Sequence, residues 1–471
     1  MKPDKQTVKW LLILSAAALA LAGLGFAIGQ QPKNEDKGLK IFDREGAVLL
    51  TAASRSAFYN TEQWAYLELA VEEAAAAVAQ RENCTAQEAE QRLFQEGYSI
   101  YTAFDKTADE ALGAVAATLG GEQDTAAVFA DLDGNILAVR STDKSQKQVN
   151  YATQRRSPCS SFKALSVYTP AVEMGKVNWS TLYEDTPYKQ IQNDDGTARD
   201  WPSNATGTYS EKTVTVYEAL RTSLNTVAVK CLADVGVQAA MEFLRTNFGI
   251  ALKEEQHMLE TYGQEEVIGN LALGYLETGI TPVEMAGYYQ MFANGGLYRQ
   301  PKTVVKILDT DGAPVYFEKA EQRQVIRPET ADTVNKLLQG VVMSGGTGVQ
   351  ARCPDVEIAG KTGTGDHYAD NWFVGVTPGY SLAVWHGKSD GNHAAEAFST
   401  AIRSFYQHRP EENRKFVTHK NLTQIAYCVH SGKAFSEHCT LIETGYFENA
   451  DTLPVCDVCG NNKHTGGSNN E

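Results

Sequence analysis

Apolar and polar positions divide this chain into stretches of distinct period. Residues 10–29 form one apolar run without a charge. At 1.5 Å per residue such a run spans a bilayer core of about 30 Å. Residues 30–39 are polar and charged, as a tether leaving a membrane would be. Residues 41–50 predict a hairpin turning at Glu45-Gly46. Residues 62–95, rich in Ala, Glu, Gln and Leu, predict two helices parted near Asn83-Cys84-Thr85. Residues 98–104 alternate as a strand, and 109–119 read as a helix stopped by Gly120-Gly121. The clearest hairpin is 125–139, where two apolar runs flank Asp131-Leu132-Asp133-Gly134-Asn135 and Asp-Gly marks the turn. From Ser160 to about Gly340 the pattern is mostly helical with loops, and 190–207 reads as a polar surface loop. Strands return at 356–361, 371–376 and 381–385, joined by short turns into an antiparallel meander. Two strands before the helices and three after them predict one five-stranded antiparallel sheet flanked by helices, an α+β domain over about 97–407.

Composition and charge narrow this picture. The formal charge is −16, from 58 acidic and 42 basic residues. That balance argues against a nucleic-acid partner, which calls for a basic face. Lys2, Lys5 and Lys9 precede the apolar run, and Asp4 is the only acid there. The positive-inside rule then puts the N-terminus in the cytoplasm and all that follows residue 29 outside. Ala18-Leu19-Ala20 and Ala20-Leu21-Ala22 resemble cleavage sites, so a removed signal peptide is the alternative. The length of the run favours an uncleaved single-pass anchor over 1–29. A linker or pedestal over 30–96 and an extension over 408–471, disordered at 462–471, complete the division.

Eight cysteines follow the anchor. Cys84, Cys159, Cys231 and Cys353 are scattered and read as small buried hydrophobes. Cys428, Cys439, Cys456 and Cys459 cluster in the tail and have three readings: two disulfides, a zinc site or free thiols. An extracytoplasmic compartment permits the disulfides. Cys456-Asp457-Val458-Cys459 has zinc-ligand spacing, whereas Cys428 and Cys439 are wider apart than in a usual ribbon.

The candidate chemistry starts at Pro158-Cys159-Ser160-Ser161-Phe162-Lys163. Pro158 and Ser160 suit a helix start, which puts Lys163 one turn on, on the same face as Ser160. A lysine of lowered pKa can take a serine's proton and make it a nucleophile. Alone, such a pair is more often a capping serine and a solvated lysine. Two further clusters change that reading: Ser223-Leu224-Asn225 after the amphipathic run 216–220, and Lys361-Thr362-Gly363-Thr364 at a strand end. Two serines, two lysines and an asparagine can assemble an acyl-transfer site, with Gly363 letting the backbone approach a ligand. A free strand edge there can pair with a peptide substrate.

In these three clusters the chain resembles the penicillin-binding proteins, in particular the transpeptidase half of the bifunctional class A enzymes. The resemblance extends over about 97–390. It includes 217–228, Leu271-Ala272-Leu273-Gly274 with 279–286, Phe292-Ala293-Asn294-Gly295-Gly296, Gly345-Gly346-Thr347-Gly348 and Asp370-Asn371-Trp372-Phe373-Val374-Gly375. It implies a serine transpeptidase-like fold, Ser160 as nucleophile and Lys163 as general base for acylation. Ser223 and Lys361 would complete the proton path, and Asn225 would contact the substrate. Thr362 and Thr364 would bind a terminal carboxylate, and the N–H groups of Ser160 and Thr364 would form the oxyanion hole. The implied substrate is a peptidoglycan stem peptide ending in D-Ala-D-Ala. The implied inhibitor is a β-lactam trapped at Ser160. No cofactor is implied, and no metal at the catalytic site.

Two departures from the family stand out. Cys159 occupies the place before the nucleophile where the family usually has glycine; it would tighten the turn, be simply tolerated, or expose a thiol beside the site. Residues 30–63 lead straight into linker-like helices, with no stretch for a glycosyltransferase domain, so the expectation is a transpeptidase that relies on a separate glycosyltransferase. Rival readings are a D,D-carboxypeptidase or endopeptidase, a β-lactamase, and a non-catalytic scaffold or β-lactam-binding module. The loop 186–212 carries acids that would matter to a hydrolase.

Overall fold

The two apolar runs at 125–139 make a hairpin in the structure, a computed structural model describing residues 38–459 except 120–122, 146, 194, 318–320, 389–390, 392, 421 and 449–452. Thr125–Asp131 pairs antiparallel with Ile136–Thr142 and turns through Gly134, whose φ of +81° suits glycine. Tyr380–Gly387 pairs with the first of these strands, Asp370–Val376 with Tyr380–Gly387, and Ala359–Thr364 closes the sheet at its edge. This is the five-stranded antiparallel sheet expected from the pattern. Its period of two sorts side chains between two cores. Phe129, Phe373, Leu382 and Val384 face the helices Lys106–Thr118 and His393–His408. Val128, Trp372, Val374, Ala383 and Trp385 face a larger helical body that includes Pro282–Tyr289 and the turn bearing Ser160.

The anchor at 1–29, the tether before residue 38, the Gly120-Gly121 stop and the polar end at 462–471 lie outside the described residues. Among the described residues no helix is long and apolar enough to cross a membrane.

Three expectations need correction. The last edge strand runs Ala359–Thr364 rather than 356–361, paired from Ala359↔Val376 to Thr364↔Asn371. Lys361 and Gly363 therefore lie inside the strand, while Val356 and Ile358 are buried in the core beside it. An apolar run gives no register; the partner strand sets it. The polar stretch 190–207 contains a hairpin, Lys189–Gln192 with Ala198–Trp201. Its side chains are exposed or half-buried, so it shows no alternation of apolar and polar residues. The mostly helical middle also contains Val304–Leu308 and Pro314–Phe317.

Those two strands join Leu39–Phe42, Val48–Ala52 and Ser99–Thr102 in a second five-stranded sheet. Segments more than two hundred residues apart thus share one pedestal. The helix Trp64–Glu82 lies against it and ends at Asn83 with φ +53°, and Thr85 and Glu88 form the capping box that starts Ala86–Glu96. Glu73 on the first helix ties the pedestal together. One of its carboxylate oxygens accepts from Thr303 N at 2.6 Å, Thr303 Oγ1 at 2.7 Å and Val304 N at 3.2 Å. Glu73→Ala leaves three donors without an acceptor and should cost about 2–3 kcal/mol of unfolding free energy. Urea titration of the variant checks this; an unchanged midpoint would contradict it.

Candidate active site

The turn that carries Ser160 is pinned on all sides before any chemistry is considered. Cys159–Phe162 is a 3-10 turn, followed by a π-helical turn over Ala164–Tyr168 and an α-helical one over Thr169–Glu173. A regular helix was expected from Ser160 onward. The tighter 3-10 winding brings residues i and i+3 into eclipse, which keeps Lys163 on the Ser160 side, and Lys163 N donates to Ser160 O. Cys159 N donates to Gly274 O at 3.0 Å, Ser157 Oγ to the same oxygen at 2.7 Å, Trp372 Nε1 to Ser157 O at 3.0 Å and Tyr289 OH to Ser161 O at 2.6 Å. A Cβ on Gly274 would sit 2.0 Å from Cys159 O, so only glycine allows this approach.

Lys163 and Lys361 are both fully buried. No carboxylate bonds to either amine among the described residues. Lys163 Nζ donates to Asn225 Oδ1 at 2.6 Å, to Ser223 O at 2.9 Å and to Ser223 Oγ at 3.4 Å. Lys361 Nζ donates to Ser223 Oγ at 2.9 Å, to Thr362 O at 3.1 Å and to Thr362 Oγ1 at 3.3 Å. One hydroxyl, Ser223 Oγ, therefore bridges two amines. Burial pushes Lys361 down to about 7. Burial, and then the nearby charge of Lys361, hold Lys163 well below the usual lysine value. Both shifts favour the neutral amine over the ammonium, and a neutral amine is a base.

Ser223 sits at φ +61°, between the helices Val216–Arg221 and Asn225–Val235. A non-glycine residue in that region costs about 1–3 kcal/mol and persists where its surroundings impose it. They are imposed by a network that sequence reading missed. Asn204 Oδ1 accepts from Asn225 N at 2.9 Å, acting as the cap that Leu224 lacks. Asp185 Oδ1 accepts from Asn204 Nδ2 at 2.7 Å and from Thr226 Oγ1 at 2.6 Å. Burial acts to raise the Asp185 carboxyl, but the hydrogen bonds from Thr226, Ser210 and Asn204 outweigh it and hold it low. A polar loop carries no periodic signal for such partners. Asn225 Nδ2 donates to Ser203 O at 2.7 Å, so this side chain also orients Lys163.

Thr362 and Gly363 complete the wall, and Thr364 is exposed at the strand end. Thr362 Oγ1 meets Thr347 Oγ1 at 2.7 Å. Gly363 serves a contact other than the expected one: a Cβ there would sit 2.6 Å from Pro158 O and 3.1 Å from Ser161 N. The close approach is to the chain's own Ser160 turn. Cys159 takes φ +50°, a conformation that favours glycine, and its thiol is buried, with burial pushing it up to about 12. Of the three readings of Cys159, the structure supports a tolerated turn residue and not an exposed thiol.

A family model for the penicillin binding protein transpeptidase domain matches residues 125–403. Penicillin-binding protein 1A of Clostridium botulinum is 36% identical over 253 residues, covering 52% of this chain and 29% of the relative. Penicillin-binding protein 1F of Bacillus subtilis is 30% identical over 356 residues, covering 71% of this chain and 46% of the relative. The chain thus spans less than half the length of these curated relatives. Among solved structures, penicillin-binding protein 1A from Haemophilus influenzae matches with a TM-score of 0.64 at 18% identity, over 80% of this chain and 76% of that one. The D,D-transpeptidase domain of a peptidoglycan glycosyltransferase from Eggerthella lenta matches with a TM-score of 0.60 at 18% identity, over 80% and 100%. At that identity the structural likeness speaks for the fold.

Holding Lys361 near 7 instead of 10.5 costs on the order of 4 kcal/mol at pH 7. Because the folded pKa is the lower one, the unfolded chain binds more protons between about pH 7 and 10.5, and the cost fades as pH rises through that window. Lys361→Met should therefore stabilise the protein at pH 7 by about 2 kcal/mol, with a gain that shrinks toward pH 10. Urea unfolding at both pH values checks it, and a destabilised variant at pH 7 would contradict it.

Proposed function

The chain belongs to the penicillin-binding protein transpeptidase family, and on that premise we propose that it is a serine D,D-transpeptidase that cross-links peptidoglycan stem peptides and is acylated by β-lactams. The observation that carries this reading is the pair of buried lysines joined through Ser223 beside the Ser160 turn. In the proposed reaction Ser160 Oγ attacks the carbonyl of the penultimate D-alanine, and neutral Lys163 takes its proton. The N–H groups of Ser160 and Thr364 bind the oxyanion, where one good donor contributes about 3 kcal/mol. Thr362 and Thr364 hold the terminal carboxylate, and Asn225 orients both substrate and Lys163. The C–N bond breaks, and a proton passes along Lys163, Ser223 and Lys361 to the departing D-alanine amine. An amine from a neighbouring stem then attacks the ester, the C–O bond breaks, and the proton released returns to Ser160.

The wider reading rests on the sequence. Residues 1–29 would anchor the protein in the cell membrane with its catalytic domain outside. Residues 38–102 contribute to the pedestal, and a separate glycosyltransferase is the proposed partner that supplies glycan. A scaffold would have no use for two buried amines that burden its stability. A hydrolase would use the same acyl-enzyme with water as acceptor, and addition of stem peptide with and without an amine separates the two.

Incubation of the detergent-solubilised full chain with a fluorescent penicillin tests the central step. Covalent labelling is expected in the wild type and not in Ser160→Ala, with unfolding midpoints alike. Absence of label in folded wild type would overturn the catalytic reading in favour of a scaffold.

A further inference from the structure

The last four cysteines make no contact with the acyl-transfer groups. Thr423–Cys428 and Ile442–Phe447 pair as a hairpin, and Ala434 bridges both Tyr427 and Val455. Cys428 and Cys456 directly follow those two bridged residues. Cys428 N donates to Lys433 O and Cys456 N to Ala434 O, each at 2.8 Å. Cys459 comes one short turn after Cys456, and Cys439 closes a tight turn in which its N–H donates to Ser436 O at 3.0 Å. As a result, the four Sγ atoms, from three separate stretches of chain, all lie within 4.8 Å of one another.

We propose that Cys428, Cys439, Cys456 and Cys459 form a tetrathiolate site for one divalent zinc ion. A disulfide needs sulfurs about 2.05 Å apart, whereas all four are free and Cys428 and Cys459 stand at 3.6 Å. Four sulfurs about 2.3 Å from a tetrahedral ion are about 3.8 Å from each other. Two disulfides would make two separate close pairs, with no need for every pair to converge. Thiolate donors in a tetrahedron select zinc over the hard cations. Binding is balanced by deprotonation: four thiols and one zinc ion give the doubly negative tetrathiolate and four protons. The Ser436 N–H and hydroxyl lie 3.4 Å and 3.3 Å from Cys439 Sγ, placed to donate to a thiolate.

The extension also needs such a centre. From residue 423 on, its buried apolar side chains among the described residues are Tyr427, Cys428, Phe447 and Cys456. A unit with so small a core requires a metal or covalent links to hold its shape. Its shape matters to the body of the protein. Tyr446 meets Trp179 edge-on at 5.3 Å, Trp179 stacks on Tyr217 at 4.4 Å, and Ser180 Oγ donates to Gly432 O at 2.6 Å. Tyr217 lies on the helix that ends just before Ser223. The ion therefore holds the surface that backs that helix, whether or not the site turns over.

Elemental analysis of the full chain, purified in detergent without chelator, tests the proposal. One zinc per chain is expected, retained in Cys84→Ser and lost in Cys439→Ser and Cys456→Ser. Cobalt offered to chelator-stripped wild type should give tetrahedral d–d bands and sulfur-to-cobalt charge transfer, a readout that does not depend on a variant folding. Metal-free protein lighter by four hydrogens would show two disulfides and overturn the proposal. Four alkylatable thiols with no zinc uptake and no cobalt spectrum would overturn it equally.

Discussion

Two amines buried without a counter-charge are the constraint on which this structure turns. Neither Lys163 nor Lys361 has a carboxylate partner among the described residues, and the hydroxyl of Ser223 lies between them. Burial alone makes a charged lysine costly, and a second buried lysine makes it costlier. Both amines are therefore held below the ordinary lysine pKa, the condition that the proposed reaction asks of its base. Water could not hold two lysines in this condition; a close-packed wall on every side can.

The rest of the fold positions that pair. The edge strand Ala359–Thr364 delivers Lys361 from one side, the Ser160 turn delivers Lys163 from another, and the joint between two helices delivers Ser223 and Asn225 from a third. Glycine permits the contact in two places, Gly363 against Pro158 O and Gly274 against Cys159 O. Elsewhere the chain accepts strain, with Cys159 at φ +50° and Ser223 at φ +61°. Cys159 directly precedes the proposed nucleophile Ser160, and Ser223 lies on the proposed proton path. The second sheet, drawn from residues 39–102 and 304–317, forms the base on which this body sits.

Much of this was legible in the sequence, and the reasons for the rest are physical. Short apolar runs at 125–139, 371–376 and 381–385 marked three stretches of the main sheet because each strand is buried on both faces yet bounded by sharp turns. The three short motifs pointed to Ser160, Lys163, Ser223, Asn225 and Lys361, and the structure brings Lys163, Ser223, Asn225 and Lys361 into one hydrogen-bonded group. Strand register at 359–364 was not legible, since pairing with 370–376 decides it. The pedestal strands 304–308 and 314–317 were hidden in a helical stretch, because they pair with each other and join the sheet only through 304–308 and its partner 99–102, two hundred residues earlier. Asp185 and Asn204 were hidden for a related reason: a polar loop residue that caps a distant helix leaves no local pattern. The tail cysteines were countable, but only the backbone bridges on Ala434 make them converge.

The rate of acylation by penicillin as a function of pH tests the central claim most directly. If the buried lysines act as the base, the rate at saturating penicillin should fall below about pH 7 with the slope of a single proton, as the amine pair gains charge. A rate that stays level from pH 8 down to pH 5, in protein that remains folded, would contradict the account and remove the lysines from the proton path.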